Sequence, residues 1–203
     1  MDFDVVYFHS EKSEKIKLNI NEIMRYMGQG KEDDKVNELI KALLPISFEK
    51  AMPKASFVLK RLTEKEEGIT IGNALISSVS LKKYLSGCDR AIAFAMTLGA
   101  ETDRLIASRS HESAACHTLS AIATAMMEEY ANLVCDELSA FLKPQGLHLL
   151  PRFGVGYGDF SLAHQADILD MCEGYKRCGI TTTNSLMLVP AKSITGIIGV
   201  GGE

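Results

Sequence analysis

Residues Arg152 to Phe160, RFGVGYGDF, set glycines at 154, 156 and 158 between an arginine, a tyrosine and an aspartate. Each of these types has a use at a small-molecule site. A guanidinium offers a planar fork of donors that matches a carboxylate. A tyrosine offers a flat apolar face with a polar tip. Closely spaced glycines let backbone N–H and C=O groups approach a ligand that side chains would keep away. The segment therefore reads either as a loop for a small molecule bearing a carboxylate, or as a glycine-rich turn whose arginine forms a surface pair. Two other precedents fail on context. A dinucleotide fingerprint needs G-x-G-x-x-G between a strand and a helix, and here the third glycine arrives one residue early, with Asp159 in its place. GVGYGD also resembles a potassium-channel filter, but such filters sit between membrane spans, and no apolar run here approaches that length.

The remaining candidates for chemistry are carboxylates. Glu128 and Glu129 sit inside the longest periodic segment, about Ser113 to Leu142, where Leu119, Ile122, Met126, Tyr130, Leu133, Leu138 and Phe141 recur at helical steps and define a core-facing stripe. A second line on the same helix, Ala121, Ala125, Glu128, Asn132, Cys135 and Ser139, is small or polar and leaves room for another backbone or a ligand. Glu128 is then either a solvated glutamate beside a close contact or a carboxylate facing a site. Thiols and imidazoles point nowhere specific. The five cysteines, 88, 116, 135, 172 and 178, are odd in number and contain no C-x-x-C pair, so buried structural thiols are expected. The five histidines lack ligand spacing, and no metal is expected.

The elements that must position these residues are legible in outline. DVVYFHS reads as an opening strand, and Ile20 to Met27 as a short helix ending at Gly28, followed by the polar loop GQGKEDD. Val36, Leu39, Ile40 and Leu43 predict a helix from Asp33 to Leu43, interrupted by Pro45 and Pro53. ASFVLKRLT and GITIG predict strands, Leu81 to Ser86 a turn or two of helix, and RAIAFAMTLG a buried strand closed by glycine. Pro144 and Gly146 end the long helix. The expectation is one α+β domain over 1–203, with an N-terminal helical annex over about 1–55 and no internal repeat.

Composition removes several functions. With 203 residues, 46% hydrophobic content and a net charge of -4, the chain is an ordinary globular one and carries no basic footprint for nucleic acid or an anionic membrane. The opening MDFDVVYFHSEKSEKIK is acidic with only a short apolar run, unlike a signal peptide, so a cytoplasmic protein is expected.

The order of motifs carries more. R-x-x-x-G-Y at Arg152, Gly156 and Tyr157, then GD, then a short helix through SLAHQADIL, then GITTTNSLMLVPAKSITGIIG, resembles the activation domain of cobalamin-dependent methionine synthase, particularly its free-standing bacterial relatives. CDRAIAFAMTLGAETDRLI is similar to that family's strand, T-L-G turn and following helix, and SAIATAMMEEYANLVCDEL to its long helix with an inward glutamate, so the resemblance spans nearly the whole chain. It implies a C-shaped α+β domain with a twisted antiparallel sheet flanked by helices, one of them long, over about 113–142. It implies binding of S-adenosylmethionine in a shallow groove and help in remethylating cobalamin that has been oxidised to the inactive cob(II)alamin form. By resemblance Arg152 meets the ligand's carboxylate, Gly154, Gly156 and Tyr157 line the ligand, and the helix glutamate maps to Glu128, with Glu129 one register away. Asn184, in TTNS, stands where the family's motif has an acidic residue.

The ligand's chemistry agrees in kind. A sulfonium cation with a carboxylate and an amine wants an arginine fork, a carboxylate such as Glu128 or Asp103 near the positive end, and backbone polar groups. No general base or nucleophile stands out. The chain lacks a D-x-H-x-x-G cobalamin signature, so the corrinoid is expected on a separate methionine synthase or methyltransferase, with a flavodoxin-like protein as a possible reductant. A non-catalytic adaptor or sensor that binds the nucleoside ligand or a corrinoid protein is the alternative. An ordinary S-adenosylmethionine methyltransferase is disfavoured, because no early strand carries a glycine-rich turn followed by an acidic residue.

Overall fold

The computed structural model describes residues 1–28 and 33–202. Most of the polar GQGKEDD loop thus lies outside the described residues. In chain order the elements are β1 (Val6–Ser10), α1 (Ile20–Tyr26), α2 (Asp34–Lys50), β2 (Lys54–Lys65), β3 (Gly68–Ile71), β4 (Ala74–Ile76), α3 (Val79–Tyr84), β5 (Arg90–Thr97), α4 (Ala100–Ser108), α5 (Ser113–Leu142), β6 (Leu147–Leu149), β7 (Phe153–Gly154), α6 (Gln165–Met171), α7 (Gly174–Cys178), β8 (Thr181–Thr182), β9 (Leu188–Val189) and β10 (Ser193–Gly202). The fold is α+β. The main sheet runs β4-β3-β2-β5-β10-β6, with β1 on β2 and β7 on β10, and every strand pairing in it is antiparallel. β8 and β9 form a separate small hairpin.

β5 holds the centre, and its sequence explains why. Ile92, Phe94 and Met96 face a core shared with α5, whereas Ala91, Ala93 and Ala95 face a second core built with α3, α6 and α7. Alternation of large and small side chains, all buried, therefore reads as a continuous apolar run. The alanine face lets α7 come close: a Cβ on Gly174 would lie 3.1 Å from that of Ala95. Of the N-terminal segment, β1 joins the sheet and α1 and α2 pack on α5.

Two expectations need correction. α2 does not stop near Pro45 but continues to Lys50. Pro45 lies on the exposed face, so the Lys41 carbonyl that it cannot serve is beside solvent. Past it, Leu43 and Ser47 are buried, Ser47 Oγ donates to the Leu43 carbonyl (2.9 Å) and Ser13 Oγ to that of Phe48 (2.5 Å). α5 has the expected bounds, but its stripe ends differently. Val134 and Leu142 are buried, Leu133 is half-buried and Phe141 is 54% exposed. The buried line, Ile122, Met126, Tyr130, Val134, Leu138 and Leu142, advances in four-residue steps, each turning about 40° around the axis, so it winds around the helix as its partners change.

Cys172 and Cys178 are buried as expected, and burial pushes both thiols up to about 12. Cys88, Cys116 and Cys135 are only half-buried. Among the described residues no helix is long and apolar enough to cross a membrane, and no cluster of His, Cys, Asp or Glu could hold a metal ion.

Candidate functional site

A cleft of about 680 Å³ opens where the outer edge of β10 is left uncovered. On that edge β6 pairs with Val200 to Gly202 and β7 with Gly196 and Ile197, but Ser193 to Thr195 have no strand opposite, only the bond from Val155 N to the Thr195 carbonyl (3.1 Å). Gly196 makes the β7 contact possible, because a Cβ there would lie 2.5 Å from the Phe153 oxygen. Around the gap stand α5, the glycine loop, the start of α6 and the β8–β9 hairpin.

Arg152 is fixed from both of its ends. Its backbone is held because the Tyr84 hydroxyl donates to the Pro151 carbonyl (2.5 Å) and accepts from Gly199 N (2.9 Å), while Phe153 packs on the Tyr84 ring. Burial pushes that phenol up to about 12, so it stays protonated as a donor. The guanidinium meets α5. One terminal nitrogen donates to Asn132 Oδ1 (3.0 Å) and points at Cys135 Sγ (3.7 Å), and the other donates to Glu128 Oε2 (2.9 Å). Burial raises the Cys135 thiol, with Arg152 opposing in part. Glu128, Asn132 and Cys135 are spaced i, i+4, i+7 and share one helix face on the cleft. Glu129 is half-buried and does not line it, so Glu128 is the glutamate in register.

The glycine loop folds on itself. Gly156 N donates to the Phe160 carbonyl (2.7 Å), Phe160 N to that of Tyr157 (3.0 Å) and Tyr157 N to that of Gly154 (3.1 Å), while Phe160 anchors the loop in the core. Gly156 (φ 95°) and Gly158 (φ 57°) take left-handed conformations that suit glycine. Gly154 and Tyr157 line the cleft, with the Tyr157 ring standing over Gly154; Gly156 shapes the turn and is not itself on the wall. Asp159 turns the other way. Its carboxylate accepts from Ser78 Oγ (2.6 Å), Val79 N (2.7 Å) and Ser80 N (3.0 Å), capping α3, and those bonds, led by Ser78, hold its carboxyl well below the usual range.

Asp103 does not line the cleft. Its carboxylate accepts from Ala191 N (2.5 Å) and Lys192 N (3.4 Å), and so fixes the segment whose residues Ala191 and Ser193 form one wall. Lys192 reinforces this clamp by donating to the Ser120 carbonyl (3.1 Å), Ser120 Oγ (3.0 Å) and Thr124 Oγ1 (2.9 Å) of α5. Burial lowers the Lys192 pKa, with Asp103 opposing. Asn184 is exposed in the hairpin turn and off the cleft.

Sequence reasoning did not nominate Cys135, Gln165, Met187 or Thr195, all of which line the site. The helical spacing from Glu128 reaches Asn132 and Cys135, but nothing local links Gln165 to Thr195, which meet only because α6 packs against β10. The cleft is thus charged and polar around Arg152 and more apolar toward Tyr157, Leu162, Met187 and Leu188, an arrangement suited to an elongated ligand with a carboxylate at one end and a flat, weakly polar group at the other.

No protein-family model and no curated protein matches the chain. Among solved structures, the crystal structure of the MetH reactivation domain bound to AdoHcy is similar, with a TM-score of 0.72 at 15% sequence identity, over 96% of this chain and 78% of that one. The chain therefore shares the fold of the MetH reactivation domain: an antiparallel α+β sheet with one long helix.

Proposed function

We propose that this chain binds S-adenosylmethionine in the cleft and supports reductive remethylation of cobalamin held by a separate corrinoid-dependent methionine synthase or methyltransferase. The observation that carries this reading is Arg152, oriented by Asn132 and Glu128 on the long helix and opening onto a cleft beside a glycine loop. The shared fold supports it, since the similar domain was solved with AdoHcy bound. In this reading Arg152 receives the amino-acid carboxylate, Glu128 faces the positive charges of the ligand, and Gly154 and Tyr157 form the wall beside it. Gly156 sets the loop's turn, and Asp103 acts at one remove by holding the Ala191–Lys192 backbone. The bound ligand supplies the methyl group. The protein's own contribution is orientation, which needs no nucleophile or general base from this chain. The protein acts in the cytoplasm, with the corrinoid on its partner and the electron from a flavodoxin-like reductant.

Calorimetric titration tests the first half: saturable binding of S-adenosylmethionine and S-adenosylhomocysteine is expected, with no comparable binding of NAD or ATP. Binding of NAD alone overturns the reading. The second half is tested by adding the chain to an oxidised corrinoid methyltransferase with a low-potential reductant and S-adenosylmethionine, and following the return of methylcobalamin absorbance. Binding without that recovery makes the chain an adaptor.

A further inference from the structure

Gln165 opens α6 at the other end of the cleft from Arg152. It is 5% exposed, yet it lines the cleft. Its Oε1 accepts from Thr195 Oγ1, and its amide nitrogen donates to no group among the described residues. A nearly buried amide with one edge held and the other edge free at a cavity wall is unusual, because buried polar groups are almost always paired and an unmade bond costs free energy. Its place also restricts what it can read. Arg152 precedes Phe153, which pairs with Ile197, whereas Thr195 lies two residues further along β10, so the two polar stations stand on the order of 7 to 10 Å apart along the strand. The apolar side chains Tyr157, Leu162 and Met187 belong to the Gln165 side of that interval.

Resting on the reading of the cleft as an S-adenosyl site, we propose that Gln165, held by Thr195, is the specificity residue for the nucleoside half of the ligand. Its N–H donates to an acceptor there, either a ring nitrogen of the base or a hydroxyl oxygen of the sugar. Arg152 and Gln165 then divide the molecule between them, one reading the amino acid and the other the nucleoside. Thr195 is a positioning residue, because it fixes which edge of the amide faces the cleft.

The test compares S-adenosylhomocysteine with 5′-methylthioadenosine, which keeps the nucleoside and lacks the amino acid, in calorimetric titrations of wild type, Gln165→Glu, Gln165→Met and Arg152→Lys. Gln165→Glu keeps an acceptor for Thr195 and replaces the donor by an oxygen, so it removes the proposed contact with little change in packing. Both Gln165 variants should weaken both ligands by a similar factor, about tenfold, as for one lost hydrogen bond that leaves a ligand acceptor unpaired. Arg152→Lys should weaken S-adenosylhomocysteine alone. Repeating the Gln165→Glu titration with 2′-deoxy, 3′-deoxy and deaza forms of methylthioadenosine identifies the acceptor as the one whose removal makes wild type and variant equal. Unchanged affinities in folded Gln165 variants overturn the proposal while leaving the S-adenosyl site standing, and so does a loss confined to S-adenosylhomocysteine. Failure of wild type to bind S-adenosylhomocysteine at all sinks the reading of the cleft itself.

Discussion

α5 carries a hydrogen-bonded cluster on each of two flanks, and burial sets them apart. On one flank Glu128 and Asn132 hold Arg152 at a polar opening, with side-chain exposures of 21% for Arg152 and 41% for Glu128. On the other, Tyr130 is fully buried, its hydroxyl meets His9 Nδ1 (2.9 Å) and donates to the His9 carbonyl (3.3 Å), and Glu137 pairs with His9 Nε2 (3.2 Å). A hollow of about 210 Å³ beside this second cluster is lined mainly by apolar side chains, including Phe57, Val134 and Leu138. The same helix thus uses polar side chains for two ends. Around His9 they fasten β1 to the core, and desolvation, which raises the Tyr130 pKa, keeps that phenol neutral. Around Arg152 they hold a cation in place while leaving it open to a cleft. A half-exposed ion pair contributes little to stability, so its conspicuous geometry is better explained by binding than by folding.

Changes on the two flanks should separate accordingly. The largest effect is expected from Tyr130→Ala, which removes a wholly buried aromatic ring and should cost about 3 to 5 kcal/mol of stability in chemical denaturation. Arg152→Lys should do the reverse, lowering S-adenosylhomocysteine affinity by about 1 to 3 kcal/mol through loss of the bidentate fork while stability changes by less than about 1 kcal/mol. If Arg152→Lys unfolds the protein instead, the division between the flanks is wrong.

Within the cleft flank, Glu128→Gln sharpens the contrast with its neighbour. It should weaken the sulfonium ligand S-adenosylmethionine about two- to fivefold relative to the uncharged thioether S-adenosylhomocysteine, whereas Glu129→Gln should leave that ratio at its wild-type value. Equal ratios in both variants would mean that Arg152 fully neutralises Glu128. The smallest effect concerns Asp159, the loop carboxylate that points away from the cleft. Its folded pKa is depressed by Ser78 and the α3 amides, so its contribution to stability is complete above the ordinary carboxylate pKa of about 4 and is lost as the pH falls through that value toward the folded one. Melting temperatures of wild type and Asp159→Asn should therefore differ at pH 6 and converge below about pH 4, with ligand affinity at pH 7 nearly the same in both. A persistent gap at low pH would show that the Asp159 hydroxyl and amide bonds do not depend on its charge.

The sequence by itself determined the parts whose signals are local. The bounds of α5 follow from its apolar period and from Pro144 and Gly146, and β5 from a short buried run closed by Gly99. The fold was legible in the order of such motifs. Helical spacing also put Glu128, Asn132 and Cys135 on one face, because in a helix separation along the chain fixes direction in space. What the tertiary structure alone decided is which polar group meets which. Asp103 and Asp159 are both carboxylates in or near promising motifs, yet one clamps the backbone of Ala191 and Lys192 and the other caps α3, each using up its acceptors on amides nearly 80 or more residues away. Gln165 and Thr195 are unremarkable in the chain and become a pair only where α6 crosses β10. A side chain's type states which bonds it can make, but whether those bonds are spent on the protein or left for a ligand depends on packing between distant elements, which no local pattern encodes.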